Sequence, residues 1–152
     1  MACPPSIPPE NIASFIAANL TPARFAEYLA DPQRAILTAY HEGLIVGYAM
    51  LIRGVSDDAD VQRAVRIRPA AELSKMYVLP DRHGCGVATA LMSRTLATAQ
   101  DWGMAGVWLG VNQANQRAQR FYIKSGFTIS GTRTFQVGAG RESDYVMVRV
   151  SR

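Results

Sequence analysis

The sequence predicts a mixed α/β fold, one sheet with helices packed on it. Three observations carry this. β-prone apolar runs alternate with stretches of helical period, the last two strand-like runs follow each other without a helix, and nothing repeats or divides the 152 residues. The length fits one compact domain, and the 49% hydrophobic share is that of a folded globule. A single domain over residues 1–152 is therefore expected. Residues 1–10, within "MACPPSIPPEN", form a flexible, proline-stiffened arm with neither the basic nor the apolar block of a secretory signal.

Taken in order, residues 11–30 read as two short helices. Ile12, Phe15, Ile16 and Leu20 fall at helical spacing, and Thr21-Pro22 caps and opens the second helix. "RAILTAY" and "LIVGYAMLI" are apolar runs separated by "HEG", the pattern of a hairpin. Residues 54–70 are polar and poorly periodic, a long loop with at most a short helical turn. "AELSKMYVL" is the next strand, closed by Pro80. The following helix carries Ala88, Leu91, Met92, Thr95, Ala99 and Trp102 on one stripe and stops at Gly103. "AGVWLGV" is a strand, "NQRAQRFYIKS" a helix ended by Gly126, and "FTISGTRTF" and "SDYVMVRV" are two closing strands.

Composition removes several functions. "LIVGYAMLI" is only strand-sized, so no stretch spans a bilayer. Cys3 and Cys85 offer neither a disulfide framework nor paired zinc spacing, so no metal and a reducing, cytoplasmic setting are expected. The net charge of +4 suits an anionic partner. A solvated loop face explains Arg63, Arg66 and Arg68 more simply than nucleic acid does, because no aromatics are interleaved with them.

Two constellations carry chemistry. In "HGCGVA", His83 to Ala88, glycines lie between a strand and a helix, where free N–H groups and the helix dipole converge on one spot. That arrangement suits a phosphate or pyrophosphate. The alternative, that Gly84 and Gly86 merely let the chain turn, stands equally on the residues. The spacing is neither the dinucleotide fingerprint nor a P-loop. In "NQRAQRFYIKSGF", Asn115, Ala118 and Tyr122 share a helix face, with a small residue between two hydrogen-bonding ones. Tyr122 reads as a core aromatic with its hydroxyl at the surface or, beside an anion turn, as a proton donor to a leaving group.

"MYVLP", "HGCGVATALM" and "NQRAQRFYIKSGF" together resemble the GNAT superfamily of N-acetyltransferases from about Glu72 to Phe127. The resemblance implies a mixed, mostly antiparallel sheet flanked by helices and splayed between its two central parallel strands. It implies acetyl-CoA as co-substrate, an amine acceptor, and direct transfer in a ternary complex. His83 stands where relatives carry Gln or Arg, while Gly86 and Ala88 match the two small positions of their turn. By the same resemblance His83, Gly84, Cys85, Gly86, Val87, Ala88 and Thr89 hold the pyrophosphate, and Met76, Tyr77 and Val78 pair with the pantetheine arm. Asn115 bonds that arm, Tyr122 protonates the departing thiolate, and Glu72 matches a position where several relatives carry a catalytic base. As a residue alone, Glu72 reads equally as a surface carboxylate at a strand end.

The tail "TFQVGAGRESDYVM" is similar to the closing segment of bacterial polyamine (spermidine/spermine) N-acetyltransferases at Thr134, Phe135, Gly138, Asp144 and Met147. Ala139 and Gly140 replace the two acids usual there, so polyamine is one acceptor among several amines. The first strand of most relatives is missing unless the arm supplies it, which leaves room for a homodimer in which a partner completes the acceptor site.

Overall fold

The computed structural model describes residues 26, 27, 30–79 and 86–151. The two helices expected over residues 11–30 lie almost wholly outside this range, as do His83, Gly84 and Cys85. In chain order the elements are β1 (Arg34–His41), β2 (Leu44–Arg53), α1 (Ala59–Ala64), β3 (Ala70–Val78), α2 (Val87–Asp101), β4 (Gly106–Asn112), α3 (Gln116–Lys124), β5 (Thr128–Val137) and β6 (Gly140–Val150). The strands hydrogen-bond in the order β1-β2-β3-β4-β6-β5. The β1–β2, β4–β6 and β5–β6 pairs are antiparallel and β3–β4 is parallel, which makes the sheet mixed as expected.

The chain forms two compact units, one of residues up to Ile52 with Lys75–Thr95, the other of Arg53–Ser74 with Leu96–Arg152. In the first, β1 and β2 are joined by Glu42 and Gly43, whose φ angles of 53° and 79° give the two-residue turn that matches strand twist. Burial is continuous from Val46 to Leu51, which is why β2 reads as an apolar run and not as an alternation. Val46, Tyr48 and Leu79 form a cluster against which Ala39, Ile45 and Val87 pack. The first residue of α2 is thus anchored on the hairpin.

In the second unit, the segment expected as a long loop with at most a short helical turn contains the six-residue α1. Asp58 caps this helix, its Oδ1 accepting from the amides of Asp60 at 2.9 Å and Val61 at 3.2 Å. Val61 and Ala64 are buried with Val65, Ala70, Trp108 and Val146. Helix α1 also covers the sheet edge: Thr134 N–H of β5 donates to Asp60 Oδ2 at 3.2 Å, and Ser130 Oγ donates to the Ala64 carbonyl at 2.5 Å. Six residues with two apolar positions are too short to show helical period, so the cap and this packing, not propensity, make the helix.

A second difference concerns residues 136–142, which lie between the two expected closing strands. They belong to a continuous hairpin, with Gln136 opposite Arg141 and Val137 opposite Gly140. Gln136, Ala139, Arg141 and Glu142 are all exposed, so the sequence here carries no hydrophobic alternation to mark a strand. The stripe on α2 is as expected at Leu91, Met92, Thr95 and Ala99, all buried, while Ala88 and Trp102 are only partly so.

Candidate functional site

In the first unit, α2 begins at Gly86, whose φ of 75° is a left-handed value that costs a Cβ-bearing residue about 1 kcal/mol or more. A Cβ placed there would meet no atom of the described residues within 4 Å. Gly86 is therefore required for its backbone angle and not by a close approach of any described residue. The Ala90 amide donates to the Gly86 carbonyl at 3.0 Å and opens the helical ladder, which leaves the amides of Val87, Ala88 and Thr89 ahead of it. A groove of about 510 Å³ starts at this corner, lined by Ile36–Tyr40 of β1 and by Gly86, Val87, Ala90, Leu91 and Arg94. Met76, Tyr77 and Val78 end β3, with Tyr77 exposed and Val78 buried.

Glu72, Asn115 and Tyr122 belong to the second unit. Glu72, half-buried, forms with Trp108 the last of only three parallel pairs, after Ala70–Gly106 and Ala71–Val107. Leu73 and Ser74 have no register partner on β4, so the parallel ladder ends at the candidate base. Asn115 is the N-cap of α3 and not part of its face: its Oδ1 accepts from the Ala118 amide at 3.1 Å. Tyr122 sits edge-to-face between Phe121 at 5.6 Å and Phe127 at 5.9 Å. Burial pushes its phenol above the ordinary value of 10.0, with no opposing interaction.

One constellation of this unit escaped sequence reasoning. Arg133 on β5 reaches over β6, donating from Nη2 to Asp144 Oδ2 at 2.8 Å, and its guanidinium lies across Gly110 of β4. A Cβ on Gly110 would collide with Nη2. Asp144 is 7% exposed. The one available signal was a glycine inside the apolar strand "GVWLGVN", which marks a close approach by another group. Among the described residues no group of three His, Cys, Asp or Glu side chains is placed to hold a metal ion, and no helix is long and apolar enough to cross a membrane.

A six-stranded mixed sheet with a parallel β3–β4 pair, followed by a helix that starts at a left-handed glycine, is the arrangement of an acetyltransferase (GNAT) fold. The acetyltransferase (GNAT) family profile matches residues 6–127, and the chain belongs to that family. An uncharacterised N-acetyltransferase of Mycobacterium tuberculosis is 66% identical over 149 residues, 98% of this chain and 88% of that protein. One from Mycobacterium bovis matches to the same extent. Among solved structures, the PaiA N-acetyltransferase of Thermoplasma acidophilum in complex with coenzyme A superposes with a TM-score of 0.63 at 18% identity, covering 95% of this chain and 80% of that one. A GNAT family acetyltransferase of Elizabethkingia anophelis with acetyl-CoA bound gives 0.63 at 13% identity over 96% and 92%. These two show the fold. Family and relatives together make the chain an N-acetyltransferase, an acyltransferase of the EC 2.3.1 type.

Proposed function

We propose that this chain transfers an acetyl group from acetyl-CoA directly to a primary amine, that of a small molecule such as a polyamine or of a peptide. The observation that carries the reading is the start of α2: a left-handed glycine with no described residue within 4 Å of its Cβ position, followed by amides ahead of the helical ladder. Such a corner fits the coenzyme's pyrophosphate. When bound, acetyl-CoA supplies an acetyl group activated as a thioester. Gly86, Val87, Ala88 and Thr89, with His83, Gly84 and Cys85 before them, hold its phosphates. Met76, Tyr77 and Val78 align its pantetheine arm, and the Asn115 side-chain amide donates to that arm while its oxygen caps α3.

Glu72 takes a proton from the acceptor's ammonium, because only a neutral amine carries the lone pair that attacks. Tyr122 holds a proton at its hydroxyl for the departing thiolate. The raised phenol pKa keeps that proton in place across the physiological range. Polyamines enter through the resemblance of residues 134–147, and peptide amines through the family's breadth.

Thiol release from acetyl-CoA across a panel of amines tests the reading. Tyr122→Phe is expected to lower kcat about 100-fold, within the range of a general acid's contribution, with coenzyme affinity nearly unchanged. Coenzyme binding with no amine raising release above hydrolysis would leave a coenzyme-binding domain without turnover and would sink the catalytic assignment.

A further inference from the structure

We infer that the exposed side of α3, formed by Arg117, Arg120, Lys124 and Ile123, docks an acidic helix of a partner protein. The inference is independent of the acetyl-transfer reading, in which none of these four residues has a part. Residues 102–141 hold five of the sixteen Lys and Arg residues and none of the twelve Asp and Glu. The remaining chain is near neutrality, so the net charge of +4 arises in this segment. Within the second unit, Arg63 pairs with Asp60, Arg133 with Asp144, and Arg149 donates to the Ser125 carbonyl. Arg117, Arg120 and Lys124 are exposed instead, and none of them is in an ion pair among the described residues.

Offsets of three and four residues set the three cations in one row about 10 Å long. Ile123, 55% exposed and three residues after Arg120, adjoins that row. The row does not serve the helix. Arg117 is in the first turn, where the helix dipole favours an acid and α3 has none. Arg120 and Lys124 are a like-charge i, i+4 pair, and no residue of α3 is fully buried to offset the repulsion. Asn115 Oδ1 takes the Ala118 amide, so an anion here meets side chains more than the helix start. One phosphate covers only part of such a row. Carboxylates at i, i+4 and i+7 of a second helix repeat with the same spacing and offer one acid to each cation. Arginine grips a carboxylate through two parallel N–H···O bonds. Nucleic acid is the poorer match, because α3 exposes no aromatic side chain for a base to stack on. It exposes Ile123, which packs on an apolar residue of a protein helix.

The probe is a synthetic helical peptide with Glu at i, i+4 and i+7 and Leu at i+3. Its control has the same composition with the acids scattered round the helix. By fluorescence anisotropy at low salt, the wild type is expected to bind the first peptide several-fold more tightly than the second, and both more weakly as salt rises. The triple variant Arg117→Gln, Arg120→Gln, Lys124→Gln should lose about tenfold, since each exposed pair is worth a factor of roughly two. It relieves like-charge contacts, so it should melt no lower than the wild type. Should it fail to fold, Arg120→Glu carries the test: its binding is expected to recover with a peptide whose middle Glu is replaced by Lys. Equal binding of both peptides, or wild-type affinity in the triple variant, overturns the inference. Tighter binding of a single-stranded DNA of equal charge overturns it in favour of nucleic acid. A tenfold loss of coenzyme affinity in the triple variant overturns it by giving the row to the coenzyme's phosphates.

Discussion

Helices α1 and α3 carry side-chain caps, and among the described residues none caps α2. Asp58 closes the first turn of α1 and Asn115 that of α3, each with a side-chain oxygen on backbone amides. Helix α2 starts from Gly86, which has no side chain to offer, and its first residue is held by packing on the β1–β2 hairpin instead. The difference teaches how to read a helix start: a side-chain cap seals the amides within the chain, and a left-handed glycine has no side chain with which to seal them. Glycine at that position costs helix stability, a cost that the proposed coenzyme site would explain.

Giving α2 a cap of its own should produce the largest effect. Gly86→Asp tolerates a left-handed backbone better than most residues and brings an acceptor and a negative charge to the same amides. Coenzyme affinity is expected to fall at least tenfold by calorimetry, while the melting temperature shifts little. Retained affinity would mean that the phosphates lie elsewhere. At the capped helix, Asn115→Ala should cost about 1 kcal/mol in chemical denaturation. Asn115→Asp keeps the accepting oxygen and loses the amide donor, so it should leave stability intact and lower coenzyme affinity if Asn115 reaches the pantetheine arm. Asp58→Ala should lose a similar or smaller stability and leave coenzyme binding unchanged, because α1 is sealed for packing alone.

The smallest effect is in pH dependence. The folded Tyr122 phenol has its pKa raised above the ordinary 10.0. Its contribution to stability is therefore complete below that value and is lost as pH rises through it, when the unfolded chain ionises and the buried phenol resists. Denaturation midpoints taken from pH 8 to 11 should fall more steeply for the wild type than for Tyr122→Phe. Parallel slopes would mean that the phenol is not desolvated.

The elements most legible in the sequence are those with one buried face or a strong stop. The β1–β2 hairpin and the α2 stripe of Leu91, Met92, Thr95 and Ala99 needed only period and turn residues. Helix α1 was legible only as a short turn because Val61 and Ala64 are too few to make a period, and the β5–β6 tip escaped because Gln136, Ala139, Arg141 and Glu142 are all exposed. At the candidate site, the order of Gly86, Asn115 and Tyr122 along the chain was enough to suggest roles. That Asn115 caps α3 was hidden because a cap and a ligand donor draw on the same residue type.

Chain order alone determined the alternation of strands and helices and the glycine at the start of α2, because backbone angle and side-chain period are properties of neighbours a few residues apart. Only the folded sheet decided that Arg133 lies on Gly110 and pairs with Asp144, and that the parallel ladder stops beside Glu72. The first depends on β6 coming between β4 and β5 and the second on β3 pairing with β4, placements that bring together residues far apart in the chain and leave no local periodicity behind.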